Sequence, residues 1–580
     1  MMILNNMYKR FLLVAALLLG MISFDLQAKG TIYLQDYLDR NKAFSDDAMK
    51  AIREALDECV RTKASELVLP GGTLNVKPDL AYEEHQYISN NDPSMKRIAF
   101  LMRGMKNFKI TGNGTKLMFT GYISPFYLDN CTNITIEGIT IDYTRPFVSE
   151  GKIAGAGPGW IDLSFPSDYI IRMQEGQLKF YDNSGNEYPY SSLLEFDKDR
   201  REVSYHVHDY WIWSRSLPAV KTTDGNYRFY RQDFGEGRIG NIMVMGASKR
   251  LHPAFTLWEC SGFSLKDVNI WNCCGMGVIA QSSRDMELLR VNVIPTPGSD
   301  RMISISADAT HFVNCKGYIR MIDCIFRNQK DDATNIHGWY MAIDKITGPK
   351  SALLKWRNSG QYGIEFIKKG MPLELVNSAD MNTYARLTVE SVKYYSSQYA
   401  EVTFTQPLPE CAKKDDVVAE DSEYPEVLIS GCYIGNNRAR GLLIGSRARV
   451  VIEKNTFHTP GAAILFEGDG RYWYEQSGVR DVIIRDNVFE NCMYGCRTWG
   501  SAVIAVGSGI PDKAASRYHK NIVVENNLFK GFDHRIVNLY SVDGFLFKNN
   551  KIEETSDYPA NGEPAKRFIH EHCDNIVIEQ

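Results

Sequence analysis

Apolar residues recur along this chain in short alternating runs, each followed by Asn, Asp or Gly and a second apolar pair. The runs that begin at Val427 and Val450 start 23 residues apart, and insertions lengthen other gaps. Alternation is typical of β-strands, and a recurring period of this length is typical of solenoids. The pattern predicts an all-β parallel β-helix in which corner Asn residues take left-handed turns and stack between coils. The copies are Ile134–Ile141, Phe263–Ile270, Ile319–Phe326, Val427–Ile434, Val450–Phe457, Val482–Phe489, Ile522–Phe529, Phe545–Ile552 and Ile576–Gln580.

Each coil is expected to carry a second strand after its corner. The candidate segments align without gaps: Gly277–Gln281, Ala309–Val313, Ala333–His337, Gly441–Gly445 and Ala463–Glu467. Alternation sends one residue of each segment into the core, namely Ala280, Phe312, Ile336, Ile444 and Phe466. The outward residues form two ladders, with Gln281, His337 and Glu467 on one and His311 and Asn335 on the other. Successive coils are about 4.8 Å apart, so these polar side chains are predicted to be neighbours in space.

Two regions interrupt the repeat and divide the chain. Residues 147–250 are rich in Tyr, Trp, Asp and Gly, and residues 339–425 contain short alternating strands. Both are predicted to be β-rich, barrel-like insertions, and the second is expected to overhang the outward polar face. The β-helix then occupies residues 29–146, 251–338 and 426–580. Its N-terminal part includes a capping helix over about 46–61, with Ser45-Asp46-Asp47 as the N-cap.

Residues 1–28 have the pattern of a secretory signal peptide. Lys9 and Arg10 precede the apolar run Phe11–Gly20, and Ala28 offers a cleavage point. We therefore expect an exported protein, periplasmic or secreted, and no membrane insertion, because no other stretch resembles a membrane span. The net charge of −4 gives no reason to expect a nucleic-acid partner. The 12 cysteines lie mostly in or beside repeat strands, which favours buried thiols over a disulfide framework.

Three aspartates are predicted to meet where two neighbouring second strands begin. Asp308 directly precedes one aligned strand, and Asp331-Asp332 directly precede the next. Carboxylates a few ångströms apart raise the pKa of at least one of them. A protonated and an ionised carboxyl group in one place are the equipment for hydrolysing a glycosidic bond. Two other interpretations stay open: aspartates that merely cap turns, and a Ca²⁺ site.

The motifs resemble those of polygalacturonase-type glycosidases, in which one Asp and an Asp-Asp pair lie on neighbouring coils of a right-handed β-helix. The strings Ser306–Gly317 and Asp331–Gly338 are most similar to glycoside hydrolase family 110, exported bacterial α-1,3-galactosidases that remove terminal galactose from blood-group-B-type glycans. The resemblance covers most of the mature chain. It implies a pectin-lyase-like β-helix with two inserted β-barrels, a glycan partner with terminal α-galactose, and no cofactor.

The same resemblance implies an inverting exo-acting mechanism. Asp331 matches the general acid, and Asp308 and Asp332 match the pair that positions and deprotonates water. An inverting site is expected to hold its acid and base roughly 6.5–9.5 Å apart. One later segment departs from the polygalacturonase pattern, because Arg438-Ala-Arg440-Gly stands where those enzymes place Gly-His-Gly and no Arg-Ile-Lys follows. This departure argues against a uronic-acid substrate.

Several outward side chains on neighbouring coils are candidate substrate contacts. They are Gln281, His311, Asn335, His337, Arg440, Glu467 and Trp499. Each is explained equally well as an ordinary surface or packing residue. No His/Cys spacing indicates zinc, so no metal is expected. A polysaccharide lyase and a non-catalytic glycan-binding β-helix remain the alternatives, and the exposed insertions offer surfaces for a homodimer.

Overall fold

The computed structural model describes residues 30–212, 217–235, 237–247, 249–559 and 566–579. The predicted signal peptide lies outside these residues. Most strands are parallel and stack coil upon coil in two sheets, so the body of the chain is the parallel β-helix that the repeat predicts. Within the described ranges, no helix is both long and apolar enough to cross a membrane.

The larger sheet, called here the long sheet, contains 20 strands and is built from the repeat copies. Val427, Val450 and Val482 lie opposite one another in neighbouring coils, as the repeat alignment predicts. Its strands are Thr31–Tyr33, Glu66–Leu69, Gly72–Val76, Lys106–Phe119, Thr132–Tyr143, Ser261–Ile270, Arg284–Val293, Lys316–Ile322, Ile325–Arg327, Glu426–Ser430, Tyr433–Gly435, Arg449–Glu453, Thr456–His458, Asp481–Arg485, Val488–Glu490, His519–Glu525, Leu528–Gly531, Val542–Lys548, Lys551–Glu554 and Asp574–Ile578.

One coil of the long sheet escapes the repeat pattern. The strand Arg284–Val293 pairs with Ser261–Ile270 in full register, yet its sequence lacks Asn, Asp or Gly at the corner. Arg290 occupies the left-handed conformation there, with φ of 52°. Arg is uncommon in this conformation, so the sequence pattern passes over a coil that the backbone forms.

Asn side chains stack along one corner of the long sheet. The Nδ2 of Asn455 donates to Oδ1 of Asn487 at 3.0 Å, and Asn487 donates in turn to Asn527 at 2.9 Å. Asn527 continues the ladder to Asn550 at 2.9 Å. The left-handed turn lies at Asp486, with φ of 57°, and at Asn526 and Asn549, where an Asn takes it as predicted. The residue before each ladder Asn therefore makes the turn, and the Asn side chain bonds the coils together.

The smaller sheet, called here the short sheet, contains 13 strands and carries the second strand of each coil. Ala280, Phe312 and Ile336 face one another across three coils and point into the core, which confirms the gap-free alignment. Its strands are Tyr82–Gln86, Ser94–Arg103, Ser124–Asp129, Phe255–Trp258, Val278–Gln281, Thr310–Val313, Thr334–Trp339, Leu442–Ile444, Ile464–Phe466, Glu475–Gln476, Ile504–Val506, Val537–Tyr540 and Phe568–Glu571.

The N-terminal capping helix spans Met49–Thr62 and follows a helix over Leu34–Arg40 that the sequence pattern did not reveal. Asp47 is not the N-cap residue of the Met49–Thr62 helix. Its Oδ1 instead accepts from the backbone N–H of Met49 and Lys77, which ties the helix start to a neighbouring strand. Three short 3₁₀ helices occur in the described chain, namely Lys42–Phe44, Ser359–Gln361 and Arg497–Trp499.

The first insertion is an antiparallel sheet of eight strands with a separate hairpin, counted over the described residues. The sheet strands are Ser149–Gly157, Trp160–Ser164, Tyr190–Asp197, Glu202–Val203, Tyr210–Trp211, Ala219–Lys221, Tyr227–Tyr230 and Ile242–Ala247. The hairpin pairs Ile170–Gln174 with Gln177–Tyr181. Short antiparallel strands with tight turns are what the Gly- and Tyr-rich composition favours.

The second insertion is a closed six-stranded antiparallel barrel. Its strands are Met341–Gly348, Ser351–Lys355, Pro372–Val376, Thr383–Tyr394, Tyr399–Phe404 and Val417–Glu420. The chain enters the barrel directly from the short-sheet strand Thr334–Trp339, so the barrel stands beside the polar face of that sheet. Trp339 and Trp356 pack in the apolar core between the barrel and the β-helix.

All 12 cysteines lie in described residues and are free thiols, as the repeat positions favour. Nine of them are buried, one (Cys59) in the capping helix and eight in or beside the coils. Cys260 and Cys315, for example, fill equivalent turns before long-sheet strands, where their Sγ atoms contact backbone carbonyls. Cysteine acts here as a small apolar residue that fits a stacked core.

Candidate active site

The three aspartates lie together on the outward face of the short sheet. The backbone N–H of Ala309 donates to the carbonyl of Asp332 at 3.0 Å, so Asp308 and Asp332 occupy equivalent positions in adjacent coils. One carboxylate oxygen from each of Asp308, Asp331 and Asp332 lies within 4.8 Å of the others. The alignment therefore predicts the place correctly. Asp331 stands one residue earlier and is the most open of the three, with 13% of its side chain exposed.

Asp331 is held by arginines. Arg250 contacts its Oδ2, and Nη1 of Arg438 lies 3.3 Å from its Oδ1. Burial would raise the pKa of Asp331, but the charges of Arg250, Arg438 and Arg440 outweigh it and lower the pKa below the usual value. In the free site, Asp331 is therefore the ionised member of the Asp331-Asp332 pair.

Asp332 accepts three hydrogen bonds from Arg440. The backbone N–H and Nε of Arg440 donate to Oδ1 at 3.0 Å, and Nη2 donates to Oδ2 at 2.8 Å. Burial and the charges of Asp331 and Asp308 nevertheless raise the pKa of Asp332 to about 7. A carboxyl group with this pKa retains a proton near neutrality, which is the uneven protonation that acid/base hydrolysis requires.

Asp308 contacts a histidine rather than an arginine. Its Oδ2 lies 2.6 Å from Nδ1 of His311, and Nε2 of His311 lies 2.9 Å from Nε2 of His337. Nδ1 of His337 lies 2.8 Å from the carbonyl oxygen of Gly338. Burial lowers the pKa of His337, which keeps that ring neutral. The three carboxylates thus sit in two different environments, one cationic and one imidazole-based.

The donor set does not suit a cation. Ca²⁺ requires six to eight oxygen ligands with free lone pairs. Here Arg250 and Arg438 contact both oxygens of Asp331, and Arg440 engages both oxygens of Asp332. The guanidinium charges already compensate the carboxylates. The Ca²⁺ interpretation therefore loses its main support, and removal of divalent cations is expected to leave hydrolysis unchanged.

The aspartates line a cavity of about 460 Å³ whose walls come from different parts of the chain. The first insertion contributes Trp211, and the second contributes Asn358–Gly360, so the barrel overhangs the face as predicted. A loop that leaves the short sheet after Glu467 contributes Trp473 and Glu475. Its Asp469 accepts backbone N–H groups from Arg471 and Tyr472, which fixes the loop in place.

Four predicted contact residues line this cavity, namely His311, Asn335, Arg440 and Glu467. Asn335 lies 3.4 Å from Glu475, and Glu467 accepts from the backbone N–H of Gly509 at 3.0 Å. Burial raises the pKa of Glu467. Substrate contact by Asn335 and Glu467 stays a prediction, while Arg440 and His311 are engaged with the aspartates.

Three predicted contact residues do not line the cavity. Gln281 is 1% exposed, and its Oε1 accepts from the backbone N–H of Ser89 at 2.7 Å, which fastens the N-terminal segment to the sheet. Trp499 packs in an apolar cluster beneath Arg438, whose guanidinium lies 5.4 Å from the ring centre. His337 lies behind His311. Gln281 and Trp499 were misjudged because neighbouring segments cover positions that an isolated coil would expose.

Sequence reasoning missed several cavity residues. Lys330 is 6% exposed, and its Nζ has no hydrogen-bond partner among the described residues. Burial, aided by Arg438 and Arg250, lowers the pKa of Lys330 to about 8. Its place beside Asp331 in the motif was the available signal. Arg250 and Trp211 follow no repeat, and only the folded insertion brings them to the site.

Clustered carboxylates with unequal proton affinity, in a walled cavity on a parallel β-helix, define a glycoside hydrolase. The families described as GLAA-B beta-barrel domain I and domain II match residues 149–243 and 353–418. Alpha-1,3-galactosidase A of Shewanella woodyi is 30% identical, over 97% of this chain and 92% of its own length. The chain belongs to the family of these galactosidases, glycoside hydrolase family 110.

Two further relatives also have the name alpha-1,3-galactosidase. Alpha-1,3-galactosidase A of Bacteroides fragilis is 30% identical over 95% of this chain and 92% of its own length. Alpha-1,3-galactosidase B of Bacteroides thetaiotaomicron is 28% identical over 92% of this chain and 88% of its own length. Among solved structures, an exopolygalacturonase from Thermotoga maritima is similar with 8% identity and a TM-score of 0.36, over 90% of this chain and 92% of its own.

Proposed function

We propose that this protein is an inverting exo-α-1,3-galactosidase that removes terminal α-1,3-linked galactose from glycans. The observation that carries the proposal is the Asp308, Asp331 and Asp332 cluster at the base of a walled cavity. The relatives that match nearly the whole chain are named for the same bond. A cavity closed by two insertions and a loop suits the end of a glycan better than the middle of a polymer.

The charges around the cavity support a neutral substrate. Seven acidic and five basic side chains line it, and Arg250, Arg438 and Arg440 are already paired with aspartates. A uronic acid would therefore meet no free arginine and an excess of negative charge. This argument also disfavours a polysaccharide lyase, which abstracts a proton beside a carboxylate that needs neutralisation. Lys330 and Asn335 are proposed to donate to hydroxyl groups of the galactose.

We assign the acid role to Asp331, because it is the most open carboxyl group and stands outside the stacked Asp308 and Asp332 pair. The lowered pKa of free Asp331 requires that bound substrate weaken its contact with Arg250 before it can donate a proton. One oxygen of each carboxylate lies within 4.8 Å of the others, and the expected gap of about 6.5–9.5 Å between whole carboxyl groups stays a prediction. We propose that the stacked Asp308 and Asp332 pair holds the attacking water.

The substrate class is tested by measuring free galactose released from a B-type branched trisaccharide, linear Galα1-3Gal and Galα1-4Gal. We expect release from α-1,3-linked substrates, no release from the α-1,4-linked one, and no loss of rate with EDTA. The Asp331→Asn variant is the matched control for contaminating activity. Equal cleavage of both linkages, or equal rates for wild type and variant, would contradict the proposal.

Three further expectations remain part of the proposal, namely export, the type of natural glycan and a homodimer. We propose export, on the strength of the signal pattern in residues 1–28, and blood-group-B-type glycans as natural substrates, on the strength of the family resemblance. N-terminal sequencing of protein recovered outside the cytoplasm checks export. Comparison of kcat/KM for fucosylated and unfucosylated acceptors checks the glycan type. A homodimer through the insertions is checked by light scattering.

A further inference from the structure

His311 and His337 form a buried chain behind Asp308. Both rings were candidates for sugar contacts, yet both of their nitrogens are within hydrogen-bond distance of protein atoms. Nδ1 of His311 faces Asp308 at 2.6 Å, the two Nε2 atoms face each other at 2.9 Å, and Nδ1 of His337 faces the Gly338 carbonyl at 2.8 Å. A ring with both nitrogens engaged has little capacity left to bind a sugar hydroxyl.

The hydrogen positions on His311 and His337 can be assigned by starting from the contact between His337 and the Gly338 carbonyl. The Gly338 carbonyl can only accept, so Nδ1 of His337 carries hydrogen and donates to it. A neutral His337 then has a lone pair on Nε2, and Nε2 of His311 must donate to that lone pair. His311 therefore keeps Nδ1 for Asp308. The short contact between Nδ1 and Oδ2 holds one shared proton, which resides either on His311 or on Asp308.

The two stacked carboxylates differ in what they can still accept. Both oxygens of Asp332 are engaged by Arg440, through three hydrogen bonds. Oδ1 of Asp308 has no hydrogen-bond partner within the part of the chain that the structure describes. Asp308 therefore offers an open oxygen to water, whereas Asp332 is suited to fixing the water's orientation.

We propose that Asp308 is the principal base and that His311, oriented by His337, is a positioning residue that supports its proton uptake rather than a sugar ligand. This inference rests on the proposed function. A water O–H bond breaks, its proton passes to Oδ1 of Asp308, and the water oxygen bonds to the anomeric carbon. The glycosidic C–O bond breaks, and the leaving oxygen takes its electron pair and the proton of the acid. The proton shared through Oδ2 shifts toward His311 as Asp308 becomes protonated.

The surrounding charges are compatible with this arrangement. Asp331, Asp332, Arg250, Arg440 and Glu475 line the same cavity as His311. Oε1 of Glu475 lies 3.5 Å from Nε2 of His337, close enough to favour positive charge on the histidine chain. The imidazole side of the site can therefore accommodate the proton that Asp308 takes from water.

The test uses His311→Asn, because an Asn amide can still donate to Asp308 but cannot take up a proton. We expect kcat for Galα1-3Gal to fall by about 10²-fold while KM and inhibition by free galactose change less than about threefold. His337→Asn keeps the bond to Gly338 and removes the acceptor for His311, so kcat is expected to fall by about tenfold. The exposed His85→Asn is the control and is expected to match wild type.

A readout independent of activity is the far-downfield proton resonance of the short His311–Asp308 hydrogen bond. It is expected in wild type and absent in His311→Asn. A raised KM with unchanged kcat in both variants would show that the histidines bind sugar and would overturn the inference. If wild type itself releases no galactose, the proposed function fails instead. If His311→Asn does not fold, the kcat and KM of His337→Asn decide the same question.

Discussion

Two edges of the β-helix carry stacked polar side chains, one in the C-terminal coils and the other in the two coils before the barrel, and they satisfy burial in different ways. At the corner of the long sheet, Asn455, Asn487 and Asn527 pair with their own kind, because an amide both donates and accepts. At the start of the short-sheet strands, Asp308 and Asp332 are also stacked, but two carboxylates can only accept. Their donors come from other residues, Arg440 on one side and His311 on the other.

The Asn ladder has a structural role, whereas the role proposed for the stacked aspartates is catalytic. The Asn ladder is self-sufficient, so it can extend through many coils and contribute stability. The acidic pair needs neighbours of other types, and each neighbour gives its carboxylate a different proton affinity. The pKa of Asp331 falls while that of Asp332 rises to about 7, although the two are adjacent in sequence. Stability and activity therefore depend on different edges of the β-helix, and variants can test each edge alone.

The largest expected effect is on catalysis by the acidic edge. Asp331→Asn and Asp308→Asn are each predicted to lower kcat for Galα1-3Gal by about 10²–10⁴-fold, because each removes a proton-transferring group. Asp331→Asn should recover much of its rate with α-galactosyl fluoride, whose leaving group needs no acid. Asp308→Asn should not recover with fluoride. Asp486→Asn, at the ladder corner, should leave kcat unchanged. Full activity in either active-site variant would end this account.

The next effect is on stability. Asp332 has its pKa raised from 3.8 to about 7 by burial, so the folded protein holds this proton more tightly than the unfolded chain. Its contribution favours folding at low pH and is lost as pH rises between about 4 and about 7. The Tm of Asp332→Asn, relative to wild type, is expected to be higher at pH 8 than at pH 4. A difference in Tm that does not change with pH would contradict the raised pKa.

A smaller effect is predicted for the ladder. Asn487→Ala removes the acceptor of the Asn455 backbone N–H and Nδ2 and the donor to the Ile452 carbonyl, while the backbone N–H of residue 487 can still donate to Asn527. Each unsatisfied buried group costs about 1–3 kcal/mol, so urea unfolding should show a loss of that order while kcat per folded molecule stays at the wild-type value. A loss of activity without a loss of stability would break the separation between the two edges.

The smallest effect is expected at the cavity rim. Trp211 and Trp473 are 46% and 52% exposed. Exposing two large apolar rings at the opening of one cavity is unfavourable in water, which suggests that they contact a ligand. We predict that Trp473→Ala lowers kcat/KM for Galα1-3Gal by about tenfold, since stacking on an aromatic ring contributes about 1 kcal/mol. The rate with α-galactosyl fluoride should not change. Tyr395→Ala, an exposed residue of the barrel, is the control.

The sequence predicts the fold where physical requirements repeat. Inward apolar residues at Val427, Val450 and Val482 fix the register, and the place of the aspartates follows from the same alignment. The coil with Arg290 at its corner was missed because its turn uses a residue type that seldom adopts that conformation. Regular elements are thus predictable as long as each coil shows the common turn chemistry.

The walls of the site were less predictable. Trp211 reaches the cavity from the first insertion, Arg250 from the end of that insertion, and Trp473 from the loop after Glu467. None of the three follows the period of the coils. Gln281 is on the predicted ladder, but the segment around Ser89 covers it. His311 and Arg440 were predicted as outward side chains, whereas their pairing with Asp308 and Asp332 emerged only from the distances. The period of the repeat predicts where a side chain lies, whereas its role depends on contacts with segments that are distant in sequence.

The central claim is that the three aspartates hydrolyse a terminal α-galactosidic bond with inversion. The most direct measurement is proton NMR of wild type with Galα1-3Gal, recorded before the released sugar mutarotates. The account predicts that β-galactose appears first and that Asp331→Asn under the same conditions releases almost none. Initial release of α-galactose, or no galactose from wild type, would contradict it.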